Sequence, residues 1–168
     1  MVYEPELLDE LEDVGGKSLE LVVWRHMFNN IDPARSNTRG ARWNPPGVAA
    51  IYTSLERETA IAEADYAIAS QPVRPSASRQ LHQVRVTVAK AIDLTGRGLL
   101  ARMGVDGNEL TAVDQNACRT VGGAAHWLGY DALLVPSARV VGTNLVIYSD
   151  RLEVDSAFEI VESEDLSE

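Results

Sequence analysis

The sequence predicts an α+β fold: one domain with a mixed β-sheet core and flanking helices. Three observations predict it. Strand-like and helix-like segments interleave without a regular β-α-β period. No glycine-rich loop follows a strand as it would in a Rossmann or P-loop nucleotide site, and no internal repeat is present. Finally, 168 residues at 45% hydrophobic and 24% charged suit one globular core and are too few for two comfortable ones.

Leucines 7, 8 and 11 stand among carboxylates over residues 4–13, which predicts a short amphipathic helix ended by Gly15-Gly16. LELVVWR (19–25) predicts a strand that delivers Arg25 and His26 to its end. From Asn29 to Gly47 a long loop follows, closed by the turn Pro45-Pro46-Gly47, and loops of this length in compact domains tend to carry function. VAAIYT (48–53) predicts the next strand, and Thr53 with Glu56 predicts a capping box opening an alanine-rich helix over 55–70. Residues 71–79 predict a loop.

LHQVRVTV begins a strand over 81–88 that ends near Asp93-Leu94, with Leu81 out of phase with Val84, Val86 and Val88. Helices are predicted at 97–103 and 113–128, the second burying Ala117, Val121, Ala124, Ala125 and Leu128. ALLVP (132–136) and NLVIY (144–148) predict strands, and a last one is expected near 157–161 before a frayed acidic tail. The expected core spans about 20–150, with flexible acidic termini.

Composition excludes several classes of function. The longest apolar runs fall short of the roughly 18–20 residues that cross a bilayer, and the acidic start lacks the charge of a signal peptide, so a cytoplasmic protein without membrane contact is expected. Cys118 is the only cysteine and the three histidines are scattered, so no metal site is predicted. A net charge of −10 opposes the phosphate backbone of nucleic acid. The stretch 24–44 nevertheless carries +3, from four arginines against one aspartate, leaving −13 on the rest. A cationic loop on an acidic body reads either as a solvated basic loop or as a site for a small phosphate-bearing anion.

Five positions and their neighbours carry the candidate chemistry. Glu63 shares its helix face with Thr59, Ala60, Ala64, Tyr66 and Ala67 rather than with a cation, so it either edges the apolar stripe or lines a cleft. Arg42 and Trp43, between small residues and a turn, read as a core plug with a snorkelling arginine or as a phosphate clamp beside an aromatic wall. Tyr52 lies close to both in sequence. Ser137, after Pro136, reads as a turn hydroxyl or a presented one, without the G-x-S-x-G elbow of a serine nucleophile, and Asn144 is similarly ambiguous. His82 and His126 read as structural.

WR, GARWNPPG, AIYTS, the AxxE of Ala60 to Glu63, LLVPSA and TNLVIY occur in this order from about Val22 to Tyr148. In these motifs the chain resembles the RES family, the toxin half of toxin–antitoxin pairs with Xre-type helix-turn-helix antitoxins. The resemblance implies an ADP-ribosyltransferase-like fold and destruction of NAD⁺ at the nicotinamide–ribose bond, by phosphorolysis or otherwise by hydrolysis. It implies NAD⁺ as substrate with inorganic phosphate as co-substrate and no further cofactor. Glu63, Arg25 and Ser137 become the implied catalytic residues, and Arg42, Tyr52, His26, Trp43 and Asn144 the implied NAD⁺ and phosphate contacts. Many relatives carry an aromatic residue where this chain has His26. A protein mono-ADP-ribosyltransferase, with Glu56 or Glu58 as a second acid, and a non-enzymatic interaction domain are the alternatives.

Overall fold

The computed structural model describes residues 2–28, 31–73 and 77–166. In order these form α1 (Pro5–Val14), β1 (Lys17–Phe28), β2 (Ile51–Ser54), α2 (Arg57–Ala69), β3 (Arg79–Asp93), α3 (Leu99–Arg102), α4 (Gly107–Thr111), α5 (Asn116–Trp127), β4 (Ala132–Pro136), β5 (Thr143–Ile147) and β6 (Ala157–Asp165). The predicted α+β class with a mixed sheet is what the chain adopts. Among the described helices none is long and apolar enough to cross a membrane.

The six strands run in the order β1-β2-β5-β4-β3-β6, with a further antiparallel pairing of β1 to β3 that joins the ends of the first five into a circuit. β3 holds it together: β1 follows one edge from Arg79 to Ala91, while the other takes β6 antiparallel and then β4 parallel at Ala91–Asp93. Two cores result. One lies inside the circuit, from Val23 on β1, Val84, Val86 and Val88 on β3, Leu134 on β4 and Leu145 and Ile147 on β5. The other lies between the opposite face of β4 and β5 and the helices, with Leu11, Leu99, Val121, Ala125, Leu133 and Val146. Buried on both faces, β4 and β5 read as continuous apolar runs rather than as alternation.

Several expectations are corrected. Thr53 caps no helix: its hydroxyl donates to the Leu145 carbonyl (2.8 Å) within the sheet, and α2 starts at Arg57 with no side-chain cap. The strand predicted over 48–53 is shorter and later, at Ile51–Ser54. The helix predicted over 113–128 begins at Asn116, and α4 before it was not predicted; Asp106 caps α4 by accepting from the amides of Asn108 and Glu109. The last strand runs to Asp165, so Ser163, Glu164 and Asp165 are ladder residues rather than frayed tail, and Ser167 and Glu168 lie outside the described residues. The loops expected at 29–47 and 71–79 also include undescribed positions, 29–30 and 74–76.

Leu81 is out of phase because this end of β3 is covered on both faces. Its neighbour His82 is buried on the opposite side, at 7% exposure against 2% for Leu81. Leu81 pairs with His26 of β1, on the strand over which α2 packs.

Candidate active site

β1 and β2 pair at a single position, Trp24 with Ser54, and then diverge. The gap, roofed by α2, is a cavity of about 230 Å³ lined by Arg25, His26, Tyr52, Ser54, Glu63 and Asn144 among others. A second cavity of about 360 Å³ is lined by Arg42, Trp43, Tyr66, Gln115 and Arg139. The two share Tyr52, Glu63, Ala67 and Asn144 as walls. Residues 60, 63, 64 and 67 follow helical spacing, so one stripe of α2 faces the cleft.

The Glu63 carboxylate is held at both oxygens. Ser137 Oγ donates to Oε1 (3.0 Å) and Asn144 Nδ2 donates to Oε2 (3.2 Å). Each donor is itself oriented. The amides of Arg139 and Val140 donate to Ser137 Oγ (3.1 and 3.4 Å), which leaves its proton for Glu63, and Ser54 Oγ donates to Asn144 Oδ1 (2.7 Å). Ser137 is thus a turn hydroxyl whose proton goes to Glu63, and it lines neither cavity itself. Among the described residues no lysine or arginine pairs with Glu63, so neutral donors fix the carboxylate and its charge faces the cleft.

Arg25 is the bolt across the diverging strands. Its Nη1 donates to the Tyr52 carbonyl on β2 (2.8 Å), while Nε and Nη2 donate to the carbonyls of Pro33 (2.6 Å) and Arg35 (2.7 Å). Burial lowers its pKa to about 10. Arg42 is turned away similarly: Nη2 donates to the Ala112 carbonyl (3.2 Å), and Nη1 is buried with no hydrogen-bond partner among the described residues. Neither guanidinium offers the open fork expected of a phosphate clamp.

Tyr52 also spends its polar group on structure. Its hydroxyl donates to Asn44 Oδ1 (2.5 Å) and accepts from the Trp43 amide (2.9 Å), and burial raises its pKa. Trp43, 2% exposed, packs in the helix-side core and is a fixed wall of the larger cavity rather than a free stacking face. Its carbonyl accepts from Tyr148 Oη (2.8 Å) and lies where a Cβ on Gly122 would stand, at 1.9 Å, so the glycine lets this loop press onto α5.

His26 lines the smaller cavity with its Nε2 accepting from Arg79 Nε (3.0 Å), and Arg79 in turn pairs with Asp65 on α2 (2.7 Å). Burial first, then Arg79, lowers its pKa to about 4, so the ring is neutral with its proton on Nδ1. His82 and His126 lie outside both cavities, bonded to Ser163 and Asp150. Glu56 accepts from Thr59 Oγ1 (2.8 Å) and the Thr143 amide (3.0 Å) and lines neither cavity, and Glu58 is exposed.

Sequence reasoning missed Arg139 as a site residue. Its guanidinium carbon stands 3.4 Å from the ring centroid of Tyr66, and both line the larger cavity. The available signals were its place two residues after Ser137 and that of Tyr66 three after Glu63.

A model of the RES domain matches residues 22–167. Among curated proteins the chain is similar to the NAD(+) phosphorylase MbcT of Mycobacterium tuberculosis and that of Mycobacterium bovis, at 30% identity over 117 residues, or 67% of this chain. The match spans 63% of those relatives' own length. Among solved structures it is similar to a chain of the M. tuberculosis MbcT-MbcA toxin-antitoxin complex, with a TM-score of 0.85 at 24% identity over 98% of this chain and 93% of that one. This last likeness is one of fold.

Proposed function

Because this chain belongs to the RES family, we propose that it is the toxin of a toxin–antitoxin pair and depletes NAD⁺ by phosphorolysis of the nicotinamide–ribose bond. The observation that carries the reading is the Glu63 carboxylate, held by Ser137 and Asn144 on the wall common to both cavities.

Breaking the bond between the ribose C1″ and the nicotinamide nitrogen sends its electron pair to nicotinamide, which leaves neutral. Positive charge develops on the ribose, and a fixed carboxylate beside that carbon stabilises it, as in glycoside hydrolysis. A phosphate oxygen then forms the new bond to C1″, giving ADP-ribose-1″-phosphate. In this reading nicotinamide occupies the smaller cavity near His26 and the ADP portion the larger one. Ser137 and Asn144 hold Glu63 in place, and Arg25 fixes the loop that walls the cleft. The fold is then of ADP-ribosyltransferase-like type, and a cytoplasmic Xre-type antitoxin covers the cleft. Transfer of ADP-ribose to protein gains little support, since Glu56 is occupied away from both cavities.

The test is NAD⁺ consumption by the purified chain with and without inorganic phosphate, products being identified by mass. ADP-ribose-1″-phosphate forms, and Glu63→Gln loses on the order of 10²-fold or more in rate with an unchanged melting temperature. Full activity in that variant removes Glu63 from the mechanism. A rate indifferent to phosphate with ADP-ribose as product replaces phosphorolysis by hydrolysis, and labelled protein in place of small products restores the transferase.

A further inference from the structure

Of the three arginines lining the two cavities, Arg25 has three nitrogens on backbone carbonyls, and Arg42 has one nitrogen on a carbonyl and another sealed from solvent. Arg139 differs. It is half-buried, and among the described residues no carbonyl or carboxylate takes its guanidinium, which lies over the face of Tyr66. We infer that Arg139, stacked on Tyr66, receives the pyrophosphate of the dinucleotide in the larger cavity, a role the sequence motifs suggest for Arg42. The inference rests on the proposed cleavage of NAD⁺.

A guanidinium over an aromatic face is held by the ring's negative potential while its N–H edges stay free for an anion. The ring thereby sets the plane of the fork without consuming donors, as carbonyls would. The body of the protein carries a net −13 outside residues 24–44, so an unneutralised cation in the cleft is where a diphosphate gains most.

The same two elements that fix Glu63 fix this pair. Tyr66 lies three residues after Glu63 on α2, and the Arg139 amide donates to Ser137 Oγ, which donates to Glu63. The reacting carbon and the pyrophosphate are thus gauged against each other by one turn and one helix.

Arg139→Gln, Arg139→Lys and Tyr66→Ala are compared with the unaltered chain in NAD⁺ kinetics and in calorimetric binding of ADP-ribose, melting temperatures being measured alongside. Arg139→Gln raises KM for NAD⁺ and the ADP-ribose Kd together by roughly tenfold or more, the loss of a charge-assisted contact, with kcat within about threefold. Arg139→Lys recovers part of the loss, and Tyr66→Ala weakens binding in the same direction. Unchanged KM and Kd in Arg139→Gln, or a fall in kcat alone, overturn the assignment. If the unaltered chain binds ADP-ribose without consuming NAD⁺, the proposed function falls while the binding arm still decides Arg139; if it binds neither, both fall.

Discussion

At the scale of single residues, the cleft separates polar groups that face the cavities from those spent on the backbone. Glu63 was legible because small and aromatic residues surround it at helical spacing and no cation does. Ser137 and Asn144 were candidates through the family motifs, but their bonds to Glu63 were not legible, since they arrive from 74 and 81 residues away and nothing local announces the meeting. Arg25 was legible as a candidate, but its bonds to three backbone carbonyls were not, because such carbonyls leave no trace in a sequence. That role makes a prediction. A lysine ammonium cannot span three carbonyls fixed by a planar fork, so Arg25→Lys leaves buried acceptors unpaired and lowers stability by roughly 2–4 kcal/mol in urea unfolding. An equal midpoint in both proteins would return Arg25 to the role of a free ligand clamp.

At the scale of elements, strands buried on both faces and the helix α2 were read nearly to their ends, whereas caps, short helices and edges were not. α4 has five residues, too few to show a period. Among the described residues β6 pairs only with β3, and it faces solvent, so its acids satisfy an edge strand as well as a tail, and composition cannot separate the two. The contact of β1, β3 and α2 through His26, Arg79 and Asp65 has a consequence for pH. His26 is faced by Arg25 on its own strand, by Arg79 and His82 on β3 and by Asp65 on α2; burial and the arginines outweigh Asp65 and hold its pKa at about 4. The unfolded chain binds the proton near the ordinary value of about 6.5, so between the two values it carries more protons than the folded one. The contribution is complete above about pH 6.5 and is lost as pH falls toward 4. His26→Gln, which keeps an acceptor for Arg79, therefore flattens the loss of melting temperature across that window. Parallel curves for the two proteins would show that His26 titrates normally.

At the scale of the whole molecule, the charge asymmetry seen in the sequence does not map onto the cleft as a ring of arginines. Arg25 and Arg42 turn inward to the backbone, while Arg35 and Arg39 are exposed. What organises the molecule instead is the double use of β4 and β5, whose two faces serve two cores. The outer core depends on α1, which an expected core of 20–150 leaves out. Leu11 is fully buried, its carbonyl accepts from Tyr130 Oη (2.9 Å), and α1 packs on α5, the helix against which the Trp43 loop is pressed. Leu11→Ala opens a cavity in that core and costs roughly 2–5 kcal/mol. For a domain of this size each kcal/mol lowers Tm by about 2–4 °C, so a fall of roughly 4–20 °C is the measurable sign. Since α1 lines neither cavity, the proposed NAD⁺ turnover, measured well below the transition, stays at the level of the unaltered chain. A Tm within about 1 °C of that chain would place α1 outside the cooperative unit.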